Sequence, residues 1–274
     1  MNKYVAQNTH EWLNWCKTLF LIILLADVYD DPNKFFTFFV TFICFIGFLA
    51  PKFCLNNHWY WSGMILFLAL AKEGYFLAAN HHFLEVYITF TFLIQSYYNL
   101  EQAYIEKIFK LIFSILMGLA FGYKIFSVQV LDGSVYHLMW ATGGMFKNIS
   151  SYLMENYVQM VQENNQLLEQ LNQDFSLSTV ELKKGPPVLI GLFMVYAWLI
   201  LIVEFVLCFI FWTRIHKMGH VFLLLFVLFV PFATWENTFL SLVSLLAIPQ
   251  IKENKQILMP IYVGIILVYM SLNL

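Results

Sequence analysis

The sequence predicts an all-α protein: a polytopic transmembrane helical bundle with about eight or nine spans and one polar helix outside the membrane. Three observations carry that expectation. Hydrophobic residues make up 61% of the chain and charged residues only 12%, against about 45–50% and about 25% in soluble domains. So few polar side chains could not cover a globule in water. The apolar residues gather in runs near the roughly 20 residues that a helix needs to cross a bilayer. Only one long polar segment, 129–186, interrupts them.

The runs lie at 12–29, 35–51, 59–79, 82–98, 107–128, 187–212, 219–234, 237–249 and 256–273. The first lacks a small-residue cleavage site and ends at "DVYDDP", so it reads as a span and not as a cleaved signal peptide. The seventh and eighth form either a tight hairpin around "TWEN" or one long helix broken at Pro231, which leaves the count at eight or nine. Lys and Arg in the loops set the orientation. With the N-terminus inside, the inner side collects Lys3, Lys52, Lys107, Lys110, Arg214, Lys217, Lys252 and Lys255. The outer side then receives the "DVYDDP" turn, the "AANHH" turn and segment 129–186. Residues 1–274 read as a single integral-membrane domain with that segment as an extramembrane insertion.

Within the insertion, "GSVYHLMWATGGMF" is amphipathic and aromatic, suited to the membrane interface. "YVQMVQENNQLLEQLNQDF" reads as a helix, ended by "KKGPP". Tyr157, Val161, Asn164, Leu168, Leu171 and Phe175 recur at spacings of four and three, a narrow seam with one polar member. Two readings stay open. The seam packs on the protein's own surface, or the 147–175 region docks a partner chain.

Charge and cysteine usage narrow the function. A net charge of -2 gives no electrostatic footprint for nucleic acid. Cys16, Cys44, Cys54 and Cys208 are scattered through apolar stretches without a CxxC, as buried small hydrophobes are. Membrane lipids are the expected surroundings.

Lys124 stands near the end of an apolar run, where an ammonium costs roughly 2.5–3.5 kcal/mol on insertion scales. Three answers are open. Its stem snorkels and the charge reaches the headgroups. It neutralises Glu204, a carboxylate inside "LIVEFVLCFIFW", although Glu204 reads as nearer the middle or inner half of its span. Or it serves chemistry with the turn Asn80-His81-His82, expected at the same outer side. A lysine held in an apolar pocket favours its neutral amine, a strong base or nucleophile. Imidazole and carboxamide groups beside it could orient a substrate oxygen. On that third answer Lys124, His81 and Asn80 are the catalytic candidates, with His82 and Glu204 binding substrate. His216 and His220 in "HKMGH" share one helix face, but Arg214 and Lys217 flank them and no carboxylate lies close. No metal site is expected. Glu236 in "ATWENTF" reads as a solvated turn residue.

"ANHHFLEVYITFTFL", "LAFGYKIFSVQVLDGSVYHLMW" and "LIVEFVLCFIFWTR", in this order, resemble segments of the HTTM family, the transmembrane region shared with vitamin K-dependent γ-carboxylases. The resemblance implies that Lys124 is the active base, that Asn80 and His81 are its partners, and that the substrate or cofactor is a lipid-soluble, quinone-like molecule. Phe121 stands where the family pattern has a glycine, and no tryptophan follows Lys124 within "KIFSVQVLDG". The match is a degenerate one, lacking the family's large extracytoplasmic C-terminal domain, so γ-carboxylation of proteins is not expected. The sequence thus leaves two functions side by side: base chemistry on a lipid-soluble substrate in an outward-facing pocket, or a non-enzymatic subunit or scaffold of a membrane complex.

Overall fold

A computed structural model describes residues 3–29, 34–71, 81–173, 181–213, 215–233, 237–251 and 255–273. Every regular element among them is helical. In chain order these are α1 (Lys3–Tyr29), α2 (Lys34–Leu49), α3 (Pro51–Cys54), α4 (His58–Ala71), α5 (His81–Tyr98), α6 (Gln102–Ile125), α7 (Val128–Leu131), α8 (Ser134–Ala141), α9 (Lys147–Leu153), α10 (Tyr157–Gln173), α11 (Val188–Ile210), α12 (His216–Ala233), α13 (Asn237–Ala247) and α14 (Lys255–Asn273). Each of the nine apolar runs overlaps a helix. Pro231 lies within α12, and α13 begins at Asn237. Residues 234–236, the heart of the "TWEN" turn, fall outside the described residues, as do Asn80, Phe175 and Glu236.

Among the described residues two helices, α6 and α11, are long and apolar enough to cross a membrane. Only 17% of the most apolar stretch of α6 and 33% of that of α11 is buried within the protein. A core helix of a soluble domain would be mostly covered. On α11 the exposed side chains include Val188, Leu192, Val195, Leu199, Ile202 and Phe209, an unbroken apolar stripe at helical spacing.

The chain divides into two compact units, residues 1–114 with 236–274, and residues 115–235. The boundary falls inside α6. In the first unit α1 and α13 are the innermost helices. α13 packs on α14, α1 and α5, and ten of its eleven residues are buried. Its small polar side chains Ser241 and Ser244 are fully covered, and small residues let helix backbones approach closely. Tyr262, Ile266, Tyr269 and Met270 form the buried face of α14. Around α1, the rings of Phe20, Trp61, Phe92 and Phe109 touch in series. At the end of the 3-10 turn after α13, Gln250 Nε2 donates to the Glu106 carbonyl at 2.9 Å.

The second unit is built on α11. Its 128–187 stretch folds into a helical module around Trp140, which is 2% exposed. Trp140 Nε1 donates to Ser150 Oγ at 2.7 Å, and Tyr157 Oη donates to the Trp140 carbonyl at 2.7 Å. Gly133 makes the corner that brings α8 onto α11. Its φ is +79°, and a Cβ there would stand 2.6 Å from the Met194 nitrogen. Only glycine fits both the dihedral and the approach.

The polar helix α10 rests on this core. Tyr157, Val161 and Asn164 are buried, and Leu168 and Leu171 are half-buried. Asn164 is the polar member for a reason. Its Nδ2 donates to the carbonyls of Ala141 (2.9 Å) and Lys183 (3.2 Å), and its Oδ1 accepts the Lys183 N–H at 2.8 Å. It splices the end of α8 to the strand of chain that returns after α10. Tyr157, Val161 and Asn164 of the seam therefore pack against the protein itself. The "GSVYHLMWATGGMF" stretch contributes Tyr136, Trp140, Ala141 and Met145 to the module's core.

Candidate functional site

Lys124 sits in the last turn of α6 and Glu204 in α11. Three pairs hold these helices together in the second unit: Gly118 beside Cys208, Phe121 against Phe205 with ring centroids 5.1 Å apart, and Lys124 with Glu204. The numbers rise on α6 as they fall on α11, so the two helices run antiparallel. That register brings the Lys124 ammonium into a direct ion pair with Glu204 Oε1. The sequence reading set Glu204 too deep for this pairing; in the structure α11 is staggered along α6, so that the C-terminal half of α11 lies beside the end of α6. Lys124 is 24% exposed and Glu204 only 4%. Lys124 is thereby engaged as one half of a charge pair across the two helices. Of the three answers offered for Lys124, the geometry matches the second.

His81 is the first residue of α5, and only its backbone is described. His82, expected to bind substrate beside Lys124, faces other groups. Its Nδ1 lies 3.6 Å from Asp27 Oδ2 and 3.6 Å from Glu85 Oε2. Glu85 is 1% exposed. His82 and Glu85 are i and i+3 on α5 and share one face, while Asp27 comes from the end of α1. The end of α1 and the start of α5 thus meet. His220 is buried with its ring against Phe211.

A second lysine was overlooked. Lys17, in the middle of α1, is fully buried. Its ammonium donates to the Leu55 carbonyl at 2.5 Å, to Gln95 Oε1 at 2.7 Å and to Asn56 Oδ1 at 3.3 Å. Those three acceptors match the three donors of an ammonium. The rings of Trp61 and Phe92 flank it at 5.9 and 5.8 Å, within cation–π range. Trp61 Nε1 also donates to the Leu55 carbonyl, at 3.0 Å. Lys17 therefore ties α1, the turn after α3, and α5 into one knot. The signal was in the sequence: an ammonium amid "CKTLFLIILL" meets the same criterion that singled out Lys124. The same rule applied to the fourth position of "HFLEVYITF" and to "LLADVY" would have marked Glu85 and Asp27.

An open cavity of about 500 Å³ lies along α4 and α5, lined by His58, Trp59, Ser62, Leu93, Ile94, Tyr97 and Tyr98. Its lining offers one imidazole, the Ser62 hydroxyl and the phenols of Tyr97 and Tyr98 on an aromatic wall, and no carboxylate.

In the module around Trp140, burial holds the His137 imidazole below the usual histidine range, and the nearby positive charge of Lys184 adds to this. The hydrogen bond from Lys183 holds the Glu163 carboxyl below the usual carboxylate range. Both are surface-module effects and neither group adjoins a constellation. Comparison with family models, curated proteins and solved structures finds no match to this chain.

Proposed function

We propose that this protein is a multi-pass integral membrane protein with eight or nine helical spans, acting as a non-enzymatic subunit or scaffold of a membrane assembly. The observation that carries the reading is the Lys124–Glu204 pair. The two charges best placed for chemistry neutralise each other, and an ammonium so held clamps helices together instead of removing protons. Membrane residence is supported by outward apolar stripes beyond the two longest helices. Phe38, Phe42, Phe45 and Leu49 line α2, Met218, Val221, Leu225 and Leu228 line α12, and Ile257, Ile261 and Val268 lie on α14, all exposed. Soluble monomers rarely present apolar patches beyond a few hundred Å². The N-terminus-inside orientation rests on the Lys/Arg bias, and the shared end of the Asp27 and His82 turns agrees with it.

The contact element for the partner is the extramembrane module. Ile149, Tyr152 and Leu153 are exposed, Tyr152 to 90%. They form one face of α9 by their i, i+3, i+4 spacing, in a segment outside every expected span. In mild detergent the native chain should migrate in a particle larger than itself. Tyr152→Glu with Leu153→Glu should release it while leaving the amount of folded chain unchanged. Migration of the wild-type chain alone would overturn the subunit reading.

A second reading follows the HTTM resemblance and keeps Lys124 as a base acting with His81 and Asn80 on a quinone-like substrate. What favours it is the quarter of the Lys124 side chain that stays exposed. It requires that Lys124→Arg, which preserves the charge pair, abolish turnover, because a guanidinium does not deprotonate in proteins.

A further inference from the structure

We propose that Asp27, His82 and Glu85 form a binding site for a divalent transition-metal ion, Zn²⁺ in the first place, at the junction of α1 and α5. One ligand atom from each residue lies within 4.8 Å of the others. The distances favour a shared ion over direct contact. His82 Nδ1 is 3.6 Å from an oxygen of each carboxylate, too long for a hydrogen bond. Two ligands bonded at about 2.0–2.2 Å to one tetrahedral ion stand roughly 3.3–3.6 Å apart, so the imidazole already sits at ligand spacing from both acids.

Chemistry and burial agree with the geometry. The donor set is one borderline nitrogen and two hard oxygens, which suits Zn²⁺, Mn²⁺ or Fe²⁺ and not the thiophilic ions. Zn²⁺ binds most tightly of these three in the general affinity order. Two carboxylates supply the negative charge a divalent ion needs, and Glu85, 1% exposed, is held in position by its burial. Asp27 and His82, at 13% and 20% exposed, leave the ion a path in. Three protein ligands are the complement of an open zinc site, with the fourth position left for water or another small ligand. The helix supplies the precision: His82 and Glu85 are fixed on one face by their spacing, and Asp27 closes the site from α1. This inference does not depend on the subunit reading.

The test uses the full chain purified in detergent, stripped with chelator and titrated with Zn²⁺ alone, then with Co²⁺ as a spectroscopic probe. Wild type should retain one Zn²⁺ per chain after removal of free metal, and Co²⁺ should give the visible bands of a low-coordinate site. Asp27→Asn and Glu85→Gln should each weaken Zn²⁺ binding by roughly tenfold or more. Glu163→Gln, a carboxylate in the extramembrane module, should leave it unchanged. Absence of retained Zn²⁺ in wild type, or equal binding in wild type and both cluster variants, overturns the proposal. Should the Glu85 variant fail to accumulate, the His82→Cys and His82→Ala pair decides. Zn²⁺ kept by cysteine and lost by alanine supports the site, and equal retention in both overturns it.

Discussion

Replacing Lys124 with methionine removes the ammonium from a Glu204 carboxylate that is only 4% exposed. Breaking a buried ion pair on one side costs about 3–5 kcal/mol. Lys124 is itself 24% exposed, so some water reaches the pair, and the lower end of the range, about 3 kcal/mol, is expected. At roughly 2–4 °C per kcal/mol for a chain of this size, the midpoint should fall by about 6–12 °C. The assay heats the detergent-solubilised protein and measures the monodisperse fraction that survives. Adding Glu204→Met should restore the midpoint to within about 1 kcal/mol of wild type, because packed apolar side chains replace a buried pair at little cost. Lys124→Arg should stay near wild type, since a guanidinium can pair with the same carboxylate. A Lys124→Met protein that melts like wild type would refute the pairing argument. So would a double variant as unstable as the single one.

Three further outcomes follow from other parts of the fold. Lys17→Arg should destabilise the protein by about as much as Lys17→Met, roughly 3 kcal/mol from lost charged hydrogen bonds, because the fully buried cage around Lys17 has no room for a guanidinium; thermal stability and expression of both variants check this, and a tolerated arginine would reject the cage. Gly133→Ala should cost upwards of about 2 kcal/mol, combining left-handed strain with a Cβ 2.6 Å from the Met194 nitrogen, whereas Gly191→Ala, with open space at its Cβ, should be neutral or stabilising in the same melt. Because burial depresses His137 in the folded module, the unfolded chain binds the proton first as pH falls. Stability present above the ordinary histidine pKa of about 6.5 is therefore lost on acidification, and the loss should be smaller in His137→Phe when melting is compared at about pH 7.5 and about pH 5.

Composition and run length were enough to determine that the chain is helical and where its long helices lie. Apolar runs of that length leave the backbone no better way to satisfy its own hydrogen bonds in an apolar medium, so each of the nine runs holds a helix. The period of four and three in 157–171 likewise identified the buried face of α10, because the spacing of side chains on one helix is a local property. One of the two weakest signals, 237–249, became a helix with ten of its eleven residues buried. Its serines and short length lower its hydropathy, yet small side chains are what an enclosed helix needs on every face.

Partnership was decided only in three dimensions. Asn164 reads as a flaw in an apolar seam until its amide is seen bonding the chain at 141 and 183. Lys124 and Glu204 were both conspicuous, but their meeting depends on the antiparallel register of α6 and α11, eighty residues apart in sequence. Lys17 and the Asp27–His82–Glu85 cluster depend on how helices distant in sequence converge. A charge in an apolar run reports that something must compensate it. Which group does so is fixed by interhelical distances, and those are set by the packing of all the helices at once.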